Sequence, residues 1–136
     1  MGFALRRVRR LRVFCPVAAD TLSRLMTGAA VEDDPALGAM LAIVRGDNPL
    51  GDFGLYRGVV ELQPGWESFM PTGEARPTVG AAGERSLSPT VILTIHIPYD
   101  ASEAEVNRAL DAIIAAHPWE VPVIEIDEVQ LLVRAA

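Results

Sequence analysis

Few residues of this 136-residue chain have the type and spacing for chemistry, and the densest group is His117-Pro118-Trp119-Glu120-Val121-Pro122. His117 with Glu120 three residues on has the makings of a general base or a ligand pair. The same residues also make a turn: two prolines punctuate it, and a histidine closing a helix gains about 0.3–1 kcal/mol from the helix dipole when protonated. The structural reading is the favoured one. Two histidines (His96 and His117) and one cysteine, with no Cys-x-x-Cys or His-Glu-x-x-His spacing, do not make a dedicated transition-metal site, although one shared between subunits is left open. Gly80-Ala81-Ala82-Gly83 lacks the Lys-Ser/Thr of a phosphate loop. Cys15 has no base nearby in sequence and precedes Pro16, which points to a small buried hydrophobe and not a nucleophile. Trp66, Phe69 and Trp119 sit in turn-rich segments and are read as interface anchors.

One compact domain spanning 1–136 is expected, because a chain of this length buries roughly two thirds of its unfolded surface without staples. No apolar run approaches the ~20 residues that cross a bilayer. Arg6, Arg7, Arg9, Arg10 and Arg12 interrupt the place where the apolar core of a secretory signal would lie. With a lone cysteine, this suits a soluble protein of a reducing cytoplasm. Those five arginines leave −11 on the rest of a chain whose net charge is −6, so residues 1–9 read as the start of a basic arm on an acidic body. The acidic balance and the lack of interleaved aromatics argue against nucleic acid. A strand with one solvated face, or an arm pairing with an acidic surface of a sister subunit, explains the arginines more simply.

The elements follow from periodicity. Leu11, Val13 and Cys15 alternate with Arg10, Arg12 and Phe14, which predicts a half-buried strand ended by Pro16. Asp20 is placed to cap a short helix through Met26, and Asp33 or Asp34 before Pro35 to start another through Leu37, Met40, Leu41 and Val44; one broken helix fits residues 20–45 equally well. Tyr56, Gly58, Val60 and Leu62 predict a second strand, and residues 63–88 a long loop rich in Pro and Gly. Val91, Leu93, Ile95 and Ile97 predict a third strand. Ser102 with Glu105 makes a capping box before the apolar stripe Val106, Ala109, Leu110, Ile113 and Ile114. After Val123 the apolar parity switches from Ile124 and Ile126 to Val129, Leu131 and Val133, which predicts a bulge or break at Asp127-Glu128. The order is that of an α+β, ferredoxin-like βαββαβ sandwich: one antiparallel sheet with its helices on one face.

His117 to Pro122 resembles the His-Pro-aromatic-Glu-Val-Pro turn of the CutA and PII-like superfamily. Gly65 to Gly80, with its Gly-Trp-x-x-Phe-x-Pro spacing, resembles the CutA-like insert domain of Ngg-interacting-factor-like proteins. Together with Leu11 to Pro16 the likeness spans about residues 10–133, as if that insert domain stood alone. Asp20 to Gly54 is longer than in the family, and Arg57-Gly58-Val59-Val60 replaces a Cys-containing stretch. The resemblance implies a closed homo-oligomer, a trimer, and places the dinuclear metal site of full-length members in flanking domains, so no metal ligand carries over to this chain.

Two functions are compatible with these observations. The first is an oligomeric binding or regulatory module taking a small ligand or a protein partner at inter-subunit clefts, with His117, Trp119, Glu120, Trp66, Phe69 and Arg76 as the residues a ligand would meet. The alternative is a divalent-metal-handling protein of the cation-tolerance type. No catalytic set and no cofactor are expected, and an enzyme ranks third.

Overall fold

The computed structural model describes residues 2–135. Seven elements follow one another: β1 (Phe3–Pro16), α1 (Ala19–Met26), α2 (Pro35–Val44), β2 (Glu61–Phe69), β3 (Ser86–Pro98), α3 (Glu103–Ala116) and β4 (Ile124–Arg134). The sheet order is β2-β3-β1-β4 with every neighbouring pair antiparallel, which is the ferredoxin-like α+β sandwich expected. Leu11, Val13 and Cys15 of β1 and Val91, Leu93, Ile95 and Ile97 of β3 form the buried face of the sheet. Leu37, Met40, Leu41 and Val44 of α2 and Val106, Ala109 and Ile113 of α3 close the core over it.

The first helical region is two helices, parted where Gly28 turns with φ 73°. Asp34 is the keystone between them. Buried at the start of α2, its carboxylate accepts from the backbone N–H groups of Leu37 (3.2 Å) and Ala18 (3.0 Å) and from the Thr21 hydroxyl (2.7 Å). Asp20 does not cap α1. That position belongs to Ala18, and Asp20 instead pairs with Arg24 one turn on, at 3.4 Å. Ser102 caps α3 as read, accepting from the Glu105 N–H.

Three further expectations are corrected. Of the arm expected over residues 1–9, Met1 lies outside the described residues, and from Phe3 onward the segment is not free but is β1, laid along β4 from Phe3↔Arg134 to Val13↔Ile124. Across that ribbon Arg7, Arg10 and Arg12 pair with Glu128, Asp127 and Glu125. Such half-exposed pairs are worth about 0–1 kcal/mol each, so they favour this register more than they stabilise the fold. The second strand is not at 56–62 and the loop is not 63–88; β2 runs over Glu61–Phe69 and the loop over 70–85. Pro64 is tolerated because β2 is an edge strand, where a missing N–H breaks no central ladder. Finally, β4 has no break at Asp127-Glu128, since its pairing with β1 passes through Arg10↔Asp127 and Arg9↔Glu128 in one register. The apolar parity switches for another reason: Ile124 and Ile126 face the helix side opposite Val13 and Leu11, whereas Val129 and Leu131 lie on the other face, opposite Val8 and Arg6. There Phe53 of the 45–60 connector lies alongside Val8, Leu131 and His96.

Candidate functional site

The chain leaves α3 at His117 because Pro118 disfavours the helical region for the residue before it, and His117 takes extended angles (φ −71°, ψ 127°). That turn drives its ring inward, where only 6% of the residue remains exposed. Nε2 lies 2.7 Å from the Phe14 carbonyl oxygen, and Nδ1 accepts the Trp119 backbone N–H at 3.2 Å. A carbonyl can only accept and an N–H can only donate, so the partners select the neutral tautomer with its proton on Nε2. Burial pushes the His117 pKa below its ordinary value, against the opposing pull of the Phe14 hydrogen bond. With both ring nitrogens committed to main chain, His117 is a clip that holds the turn against β1. The Phe14 N–H then bonds the Val123 carbonyl, 3.1 Å, and the chain runs into β4.

So held, the turn meets the 70–85 loop. Trp119 packs edge-on to Phe69, ring centroids 5.2 Å apart. Glu120 accepts the Arg76 backbone N–H at 2.8 Å, and the Thr78 hydroxyl donates to the Pro118 carbonyl at 2.7 Å. These latches close a cavity of about 400 Å³ between loop and turn. Its walls are mostly apolar: Phe69, Met70, Pro71, Pro77, Val79, Trp119, Val121 and Val123, with Glu67, Glu120, Thr72 and Thr78 as polar lining. Two of its lining residues, Glu67 and Trp119, each carry a buried polar atom, Oε1 and Nε1, that makes no hydrogen bond among the described residues. Burial raises the Glu67 carboxyl pKa above its usual range. A concave, mainly apolar pocket with a few converging polar atoms is the common form of a small-molecule site.

Of the six residues singled out from the sequence, Phe69, Trp119 and Glu120 line this cavity. Arg76 contributes its backbone N–H to the latch. His117 supports the cavity without lining it. Trp66 lies elsewhere: on β2 it alternates with Glu67, so it points to the opposite face of the sheet, 58% exposed. Sequence reasoning missed Glu67, whose signal is that same alternation: once 61–69 is a strand, Glu67 and Phe69 share a face. A wider hollow of about 610 Å³ lies between Arg7, Tyr99, Phe53 and the start of α3. Its Arg7 is already committed, paired to Glu128 and stacked 3.9 Å over the Tyr99 ring. Among the described residues no three His, Cys, Asp or Glu side chains come together as metal ligands, and no helix is long and apolar enough to cross a membrane.

With this geometry in hand, the chain's likeness to a solved structure is informative. A Bacillus cereus protein related to NIF3 matches 98% of this chain at a TM-score of 0.61 and 16% identity. The match shows a shared fold, and the chain spans 29% of that protein's length. No protein-family model and no curated protein matches the sequence.

Proposed function

We propose that the chain is a binding or regulatory module that takes a small ligand in the cavity between the 70–85 loop and the 117–123 turn. The observation that carries this reading is the latched cavity itself: residues some forty positions apart are tied together by Glu120 and Thr78 around mostly apolar walls. A loop longer than a hairpin requires is thereby explained as one wall of a site. The resemblance to CutA and PII-like proteins supports a closed homo-oligomer, a trimer. Both edges of the sheet support association as well: β4 presents Ile126 and Leu132, 48% and 68% exposed, and β2 presents Trp66. The single buried Cys15 suits a reducing, cytoplasmic setting. The cation-handling alternative finds no converging ligand set within the described residues of one chain.

A thermal-shift screen against metabolites, nucleotides and divalent metals tests the reading, since a ligand at 100 times its Kd stabilises by about 2.7 kcal/mol. The expected result is a stabilising compound whose effect disappears in Val121→Trp, which fills the cavity. A shift that survives in that variant, or a panel with no shift at all, counts against the site. Light scattering at micromolar concentration should show the oligomer, weakened in Trp66→Ala; a stable monomer removes the assembly.

A further inference from the structure

We propose, on the reading that this cavity is a ligand site, that residues 72–79 are a lid over it, which swings on the base of the 70–85 loop and is held shut by the two latches to the turn. The walls of the cavity are not held alike. Glu67 and Phe69 stand on β2, which is paired with β3 as far as Phe69↔Ser86. Trp119, Val121 and Val123 belong to the turn that His117 ties to the Phe14 carbonyl. The remaining wall comes from the 72–79 arm, which lies outside every strand and helix and lines the cavity with Ala75, Pro77 and Val79 among others.

The loop divides into a fixed base and a lightly held arm. At the base the Gly83 N–H donates to the Pro71 carbonyl at 2.7 Å, and Pro71 is buried. Gly80 turns the chain back with φ 89°, a conformation that favours glycine, and a Cβ there would collide with the Ser86 hydroxyl, so residue 80 is packed against the start of β3. Between these anchors every residue of 72–79 is exposed or half-buried. The hydrogen bonds from the arm to the turn, among the described residues, are the Glu120 and Thr78 latches, both at the exposed surface. One such bond multiplies the closed population by about two to twelve, so the pair holds the arm shut by a factor of about five to one hundred and fifty. A segment with few buried apolar contacts and solvent-exposed hydrogen bonds opens far more readily than the whole domain unfolds. Opening the arm admits a ligand, and a ligand that touches both the arm and the fixed walls binds the closed state more tightly and so draws the arm down over itself.

Amide hydrogen exchange of the full chain, read by NMR with no ligand present, tests the lid. The Arg76 amide, which faces Glu120, should exchange about five- to one-hundred-and-fifty-fold more slowly than in an unstructured peptide, yet far faster than the amide of Leu93 in the core of β3. Thr78→Val removes one latch and leaves the bond between Arg76 and Glu120 in place. If the arm moves as one lid, the Arg76 amide should nevertheless exchange about two- to twelvefold faster in that variant, and Thr78→Ser, which keeps the hydroxyl, should restore its protection. Leu93 reports global unfolding separately, so a loss of overall stability is not mistaken for opening of the arm. An Arg76 rate that Thr78→Val changes by less than about twofold means two independent surface bonds and overturns the lid. Arg76 protection equal to that of Leu93, which means a wall that opens only when the domain unfolds, overturns it too, and so does an Arg76 amide with no protection. None of these outcomes involves a ligand, so the lid can fall while the binding-module reading stands. That reading fails separately, when no screened compound gives a thermal shift that Val121→Trp abolishes.

Discussion

Replacing His117 with alanine should destabilise the protein by about 2–4 kcal/mol at pH 7.5. The substitution removes the hydrogen bonds to the Phe14 carbonyl and from the Trp119 N–H and leaves both partners wanting. Each lost bond is worth about 0.5–1.5 kcal/mol and each buried orphan costs about 1–3 kcal/mol where water does not reach it. The replacement should also abolish a pH dependence. In the native protein the His117 pKa lies below 6.5, chiefly because burial disfavours the charged ring, whereas the unfolded chain titrates near 6.5. Between those values the unfolded state binds more protons, so stability rises with pH; the contribution is complete above 6.5 and is lost as pH falls through the native value. Every tenfold weakening of proton affinity is worth about 1.4 kcal/mol. The geometry gives the reason, since a second proton on Nδ1 would point at the Trp119 N–H. Glu67 acts in the opposite sense: its raised pKa contributes stability below about 4.5 that is lost as pH rises through its native value, so a Glu67→Gln background isolates the histidine. Urea unfolding followed by circular dichroism from pH 5 to 7.5 measures both effects. A loss under about 1 kcal/mol at pH 7.5, or a slope unchanged in His117→Ala, would refute the clip.

Two further outcomes follow from the core. Asp34→Ala should cost about 2–4 kcal/mol in urea unfolding, because three donors (Leu37 N–H, Ala18 N–H and the Thr21 hydroxyl) lose their acceptor, and Asp34→Asn should recover part of it; a loss under about 1 kcal/mol would show that water replaces the carboxylate. Burial pushes the Cys15 thiol up to about 12, so at pH 8 iodoacetamide should label it about a thousandfold more slowly in the native protein than in urea, and comparable rates would place Cys15 outside the core.

Much of the fold was legible in the sequence wherever a local period coincided with a local boundary. Val91 to Ile97 alternates and is buried on the side read for it, and Ser102 and Asp34 begin α3 and α2 because a side-chain acceptor three residues ahead of a bare N–H is a local fact. The turn after α3 and the excess length of the loop before β3 were legible in the same way, which brought Phe69, Trp119 and Glu120 into view. What failed depended on a partner strand. Phe3 to Arg9 reads as an arm until Glu128 lies opposite Arg9 and pairs with Arg7, and Asp127-Glu128 reads as a break until Val8 and Phe53 give the far end of β4 a second apolar face. Gly65 and Pro64 read as loop because propensity does not know that β2 stands at an edge. The site shows the same division most sharply. Residue types and spacing named its aromatic wall, but the bond of His117 to Phe14 and the latch between Arg76 and Glu120 join groups 103 and 44 positions apart, and only the folded chain brings such groups within hydrogen-bonding range or takes the Glu67 carboxyl oxygen out of water.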